Sequence, residues 1–185
     1  DGKLRFARRE LRLEGTLASP ALALFGVRVD DLEGALTGDR ERLELAIEHG
    51  DYRSGALDGS FAVDLRGEES NGEVALVVEG APVRELLRDL GLPDFRVAAT
   101  AHGELSYRFP FSRSSRGVGS ASFELVAVPQ DSGRPDLVEV DGVVGLEISA
   151  GQLRIPELAL RAGKQTIDGS GEFVLVDGGG RFDAA

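Results

Sequence analysis

Cysteine, methionine and tryptophan are all missing from this 185-residue chain. Without cysteine there are no disulfides, no thiolate nucleophile and no cysteine-based zinc site. The lack suits an oxidising compartment such as a periplasm. With no methionine even at position 1, the chain is expected to be a processed or excised segment of a larger protein. Lysine is nearly absent too: only Lys3 and Lys164 occur, and every other basic residue is arginine. An arginine-, alanine- and glycine-rich composition of this kind points to a GC-rich bacterial genome. Aromatics are few, with nine Phe and two Tyr, which leaves little material for stacking bases or sugars. No apolar run approaches the roughly 20 residues needed to cross a bilayer as a helix, and no signal peptide is present. Any anchor or export signal is therefore expected outside this segment.

Positive charge is scarce as well. Acidic residues number 32 against 21 Lys and Arg, for a net charge of -11. That balance argues against nucleic acid, whose phosphates need a basic face. It equally disfavours simple electrostatic docking of the whole chain on anionic lipid heads. Catalytic signatures are wanting. His49 and His102 are the two histidines, and neither has metal-ligand spacing. The carboxylates form no calcium-loop pattern. Gly178-Gly179-Gly180 opens no helix, so it is no phosphate loop, and Ser114 and Ser115 lack a nucleophile-elbow context. The expectation is a protein that is not an enzyme and holds no metal or cofactor.

What the chain does have is alternation. Leu57, Gly59, Phe61, Val63 and Leu65 alternate with Asp58, Ser60 and Asp64. From Val97 to Phe109 the odd positions include Leu105, Tyr107 and Phe109, and the even ones His102, Glu104, Ser106 and Arg108. Val138, Val140, Gly142, Val144, Leu146 and Ile148 repeat the pattern, as do Ile167, Gly169, Gly171, Phe173 and Leu175. A period of two places each set on one face of a strand. The pattern predicts strands near 3–8, 10–18, 22–30, 32–38, 41–49, 55–66, 73–80, 95–110, 118–129, 137–149, 152–162 and 165–176. Short turns between them favour an antiparallel meander. One helix is predicted from Pro82 to Leu90, with Gly91 as its stop and Val83, Leu86, Leu87 and Leu90 on one face. Gly67–Gly72, Ser112–Gly119 and Gln130–Pro135 read as loops, none of them a domain linker. The chain therefore reads as a single β-rich segment.

A tripeptide of aliphatic residue, acid and glycine recurs: Leu13-Glu14-Gly15, Leu32-Glu33-Gly34, Leu57-Asp58-Gly59, Val78-Glu79-Gly80, Val140-Asp141-Gly142, Ile167-Asp168-Gly169 and Val176-Asp177-Gly178. Irregular spacing excludes a strict solenoid. The glycine falls on the apolar parity. There it lets the sheet bend or lets something approach the backbone closely, unless the Asp-Gly pairs simply mark hairpin turns.

An apolar face a dozen strands wide must be covered, and one short helix is too small to do so. The sheet either folds onto itself as a closed sandwich or curls into a taco-like trough with the apolar face inside, and periodicity leaves both open. An open trough exposes an apolar surface that calls for a ligand or partner, and a long one suits acyl chains. The lining is predicted to comprise Leu57, Phe61, Val63, Leu65, Leu105, Tyr107, Phe109, Val140, Val144, Leu146, Ile148, Ile167, Phe173 and Leu175, residues on the apolar parity of their own strands.

The stretch Leu153–Val176, with its strand, glycine-containing turn and following Ile167-Asp168-Gly169-Ser170-Gly171 start, resembles the repeating hairpins of the AsmA/TamB-like superfamily. So does Ala81–Leu105, where a short amphipathic helix ends in Gly91-Leu92-Pro93 before a glycine-bearing strand. The resemblance implies a periplasmic β-groove fold, anchored to the inner membrane of a Gram-negative bacterium by a helix outside this segment. It implies phospholipid acyl chains as ligand, with a part in lipid transport between the membranes or in outer-membrane biogenesis. It supplies no catalytic motif. The rival expectations are a structural β-module with a self-closed core and no ligand, and an assembly factor that pairs a strand edge with a nascent outer-membrane protein.

Overall fold

The computed structural model describes residues 2–7, 10–24, 27–66, 69–89, 93–130, 136–149, 151–176 and 179–184. Residues 2–7, 10, 11, 24, 114, 115, 173–176 and 179–184 among them are described by backbone alone. Among the described residues, alternation becomes one sheet of thirteen strands. The strands are β1 (Gly2–Ala7), β2 (Glu10–Leu24), β3 (Val27–Gly38), β4 (Arg42–Tyr52), β5 (Gly55–Asp64), β6 (Asn71–Pro82), β7 (Val97–Pro110), β8 (Val118–Ala127), β9 (Val138–Glu139), β10 (Asp141–Ser149), β11 (Gln152–Ala162), β12 (Gln165–Val176) and β13 (Gly179–Ala184). Twelve follow one another in chain order, each antiparallel to the last, and the sheet does not close into a barrel. The two-residue β9 stands aside and pairs parallel with β7. Among the described residues one α-helix, α1 (Val83–Asp89), connects β6 to β7.

The meander and the helix thus stand as the alternation indicates, with local differences. The three strands expected at 10–18, 22–30 and 32–38 are two long ones, β2 and β3. Asp31 does not end a strand. It takes a positive φ of 46° inside β3, and the register to β4 shifts there. That bulge inserts one extra residue, so Val29 and Leu32, three apart, are both buried. Pro82 does not start the helix but closes β6 opposite Thr100. Leu90 and Gly91, the expected helix end, lie outside the described residues. Phe111–Arg116 forms a 3-10 turn kinked at Arg113 (φ -151°, ψ 69°) rather than an open loop. The run 137–149 divides into β9 and β10. The sequence reading also missed β13, which begins within the glycine run and pairs with β12. The loops expected at 67–72 and 130–135 lie partly outside the described residues, as does the glycine of Val176-Asp177-Gly178.

The core sits where β3–β7 meet the helix. Val29, Leu32, Leu45, Ile47, Tyr52, Leu57 and Ala81 form one buried cluster, and Leu86 of α1 packs against it. Val83, Ala99 and Ala101 form a second, packed by Leu87, Phe123 and Leu125. Helical spacing thus points two neighbouring leucines at two clusters, and α1 covers one strand-end border of the apolar face.

The helix is tied down by charge. The Tyr52 hydroxyl donates to Asp89 Oδ2 at 3.0 Å, and Arg53 donates to the same oxygen at 3.1 Å. The Arg53 hydrogen bond, helped by Tyr52, holds the Asp89 carboxyl below the usual aspartate range. Burial, then the Asp89 bond, pushes the Tyr52 phenol up to about 12. A depressed aspartate stabilises the fold above its unfolded pKa, about 3.9, and that contribution is lost as the pH falls through the folded value. Asp89→Ala should cost about 1–2 kcal/mol at neutral pH. Urea melts of both forms should converge as the solution is acidified, and a gap that persists in acid would contradict the tether.

Candidate functional site

Residues directly opposite in an antiparallel pair share a face, so register carries parity from strand to strand. Starting from Leu45 on β4, the row runs Phe61, Val74, Tyr107, Gly119, Ile148, Leu153 and Phe173. The row beside it runs Ile47, Gly59, Leu76, Leu105, Ala121 and Leu146. The next runs Gly50, Leu57, Val78, Gly103, Phe123, Val144, Leu158 and Gly169. At the helix side, Ala101, Leu125, Gly142, Leu160 and Ile167 align. At the opposite border, Leu43, Val63, Gly72 and Phe109 align. None of these positions is charged. From β4 to β12 the rows cross seven strand spacings, about 34 Å.

The other face carries the charge. Glu44, Glu73 and Arg108 lie on it, as do Asp58, Glu104, Glu124, Glu147, Arg154 and Glu172. Arg42 bridges Glu44 and Glu73, Arg154 meets Glu147 at 3.6 Å, and Arg161 meets Asp141 at 3.1 Å. Asp141 is held below the usual carboxylate range, first by the Ala127 N–H and then by Arg161. Short side chains on this face, Ser60, Ala75, Ser106, Ser120 and Ser122, help to line a shallow depression of about 400 Å³. Its depth comes from missing side-chain bulk. His49 lies 3.3 Å from Asp51 and His102 lies 3.3 Å from Thr100. Among the described residues no group of three potential ligands gathers for a metal.

Burial grades along the apolar face. On β4–β7, Ile47, Leu57, Val74 and Phe109 are buried among half-buried Phe61, Val63, Leu76, Val78, Leu105 and Tyr107. On β8 and β10–β12, no described residue of this face is buried. Phe123, Leu125, Val144, Leu146, Ile148, Leu153, Ile155, Leu158 and Leu160 are half-buried, and Ile167 is 57% exposed. Phe123 and Leu125 gain part of their cover from the Val83 cluster at the helix border, and α1 itself packs mainly on β6 and β7.

Phe61, Val63, Leu105, Tyr107, Val144, Leu146, Ile148 and Ile167 therefore share one face, as do Leu57 and Phe109, which are buried within it. Val140 is buried between β9 and β10, its N–H directed at the Ala98 carbonyl. Leu65 is not brought into the array: it follows the end of β5, where its N–H donates to Glu41 O, and it is 46% exposed. Register places Phe173 opposite Leu153 and Leu175 two residues further along β12, their side chains lying outside the described ones. Phe123, Leu153, Ile155, Leu158 and Leu160 belong to the face but were not picked out from sequence. A signal was available for Leu153 and Leu160, which face Ile148 and Ile167 across short turns, whereas Leu158 follows a register shift within β11.

No protein-family model, curated protein or solved structure matches this chain.

Proposed function

We propose that this chain is a non-enzymatic lipid-handling segment that holds acyl chains on the uncovered part of its apolar sheet face. The observation that carries the reading is the uninterrupted apolar surface of β8 and β10–β12, uncharged and half-exposed, beside a part already filled by the protein itself. A surface of this size on a chain otherwise so acidic is costly to leave in water unless something apolar covers it. Acyl chains fit the demand: they are long, featureless and need no polar partner on the lining. The charged outer face meanwhile keeps the segment hydrated. In this reading the chain is one piece of a periplasmic lipid conduit between inner and outer membrane, tethered through a region beyond this segment.

Binding driven by methylene burial scales with chain length at about 0.8 kcal/mol per CH₂. Palmitate should bind more tightly than laurate by about 3 kcal/mol, on the order of 100-fold, and with a negative heat-capacity change. Calorimetric titration with both measures it. Equal affinities, or no saturable binding of either, would favour the structural β-module.

A further inference from the structure

At the border opposite α1, the β7–β8 connection is built rather than slack. The Phe111 N–H donates to Ser70 O at 3.0 Å, and the Ser112 hydroxyl donates to Glu69 Oε1 at 3.3 Å. Tyr107 closes over Gly117: a Cβ there would sit 2.3 Å from its Cζ. The aromatic run continues outward, since the Tyr107 and Phe109 rings stack at 5.4 Å and Phe111 meets Phe109 edge-on at 5.4 Å. Phe111 is 48% exposed. Phe111 thus joins Phe109 beside Ser70, so the apolar face runs up to this rim.

Arg113 and Arg116 project from the same turn, both exposed. Elsewhere most described arginines are neutralised. Arg12, Arg28, Arg42, Arg53, Arg66, Arg84, Arg88, Arg108, Arg154 and Arg161 each have a carboxylate partner. Arg113 and Arg116 have no ion pair among the described residues, and they lie three residues apart in this kinked turn. Arg40 and Arg96 also have no ion pair among the described residues; Arg40 lies in the β3–β4 turn at the same border, and Arg96 precedes β7 at the helix side. Paired arginines beside an apolar lining match a phosphate joined to a hydrocarbon chain. The guanidinium fork takes phosphate oxygens in two parallel hydrogen bonds, and the aromatic steps lead the chain inward.

We propose that the rim turn Phe111–Arg116 binds the phosphate of a phospholipid whose acyl chain lies on the apolar face. This rests on the acyl-chain reading and adds its headgroup class. The test compares three ligands by calorimetry: palmitoyl lysophosphatidylglycerol, monopalmitoylglycerol, which has the chain without the phosphate, and inorganic phosphate. Wild-type protein should prefer the lysophospholipid to monopalmitoylglycerol by about tenfold. The double variant Arg113→Gln, Arg116→Gln should lose that preference yet bind monopalmitoylglycerol as before. Arg154→Gln with Arg161→Gln, on the outer face, should keep it. A double rim variant that retains the preference, or a wild type that shows none, overturns the proposal and leaves acyl binding standing. Inorganic phosphate binding as tightly as the lipid would make this a free-phosphate site and also overturn it. If neither palmitoyl ligand binds wild-type protein, the acyl-chain reading itself fails and the headgroup proposal falls with it.

Discussion

Ile47→Asp should unfold the chain, whereas Leu146→Asp should leave it folded and unable to bind an acyl chain. The two residues lie in one row of the same face, so sequence parity treats them alike. Ile47 is 3% exposed inside the cluster with Leu32, Leu45 and Leu57. A carboxylate there is removed from water with no cation opposite it, which costs several kcal/mol and matches the whole stability of a typical domain. Leu146 is half-buried, on the part of the face that α1 does not reach. Water can hydrate a carboxylate at that position, so the expected loss is about 1 kcal/mol of strand packing. Its charge nonetheless lies where methylenes would rest, and palmitate binding should fall at least tenfold. Circular dichroism melts and palmitate titration separate the two outcomes. Unfolding by both substitutions would mean the face is filled throughout and would favour the structural module.

The second large effect belongs to the repeated tripeptide. Gly59→Val and Gly142→Val should each destabilise by more than about 3 kcal/mol, while Gly169→Ala should be close to neutral. At Gly59 φ is +140°, and a Cβ would lie 2.0 Å from the Ala75 carbonyl oxygen on the adjoining strand. Gly142, at φ +146°, would meet the Ala159 oxygen at the same distance. Both obstacles are backbone, which cannot swing aside as a flexible side chain does. At Gly169 nothing lies within 4 Å. One motif thus carries two roles. Within β5 and β10 the glycine lets a neighbouring strand's carbonyl come close, and on β12 it leaves the open face shallow. Denaturant midpoints of the three variants test this, and near-equal costs at all three positions would contradict it.

Much of the fold was legible because alternation is a local signal and hairpins transmit it. Val97–Phe109, for example, reads as one long strand from its odd positions alone, and β7 covers that stretch. The alternation failed where geometry departs from a period of two. Asp31 takes a positive φ in mid-strand, so a bulge looks like a turn in sequence. Gly179-Gly180 has no side chains to alternate, so β13 left no pattern. The site was partly legible for a related reason. Parity assigns Leu57, Phe61, Leu146 and Ile148 to one face, but burial along that face depends on which strands α1 reaches. That is a tertiary fact, invisible in the repeat. It is why Leu57, in the cluster that Leu86 packs against, is core, while Leu158, passed over in sequence, stands on the uncovered surface; Phe109, at the border away from α1, is buried instead beside Tyr107 and Phe111. The Arg113 and Arg116 pair escaped notice because an arginine looks the same in sequence whether or not a carboxylate faces it.

Adjacent residues of β10 offer the most direct test of a lipid-holding face, because Leu146 and Glu147 differ in side and little else. Leu146 aligns with Ala121 on the apolar rows, and Glu147 pairs with Ser120 and Arg154 on the charged face. A photo-reactive benzoylphenylalanine placed at each position in turn, irradiated in cells and read by mass spectrometry, reports what touches each side. The predicted result is lipid adducts at position 146 and none at 147. Equal labelling at the two positions, or no lipid adduct at 146, would contradict the assignment of this face to acyl chains.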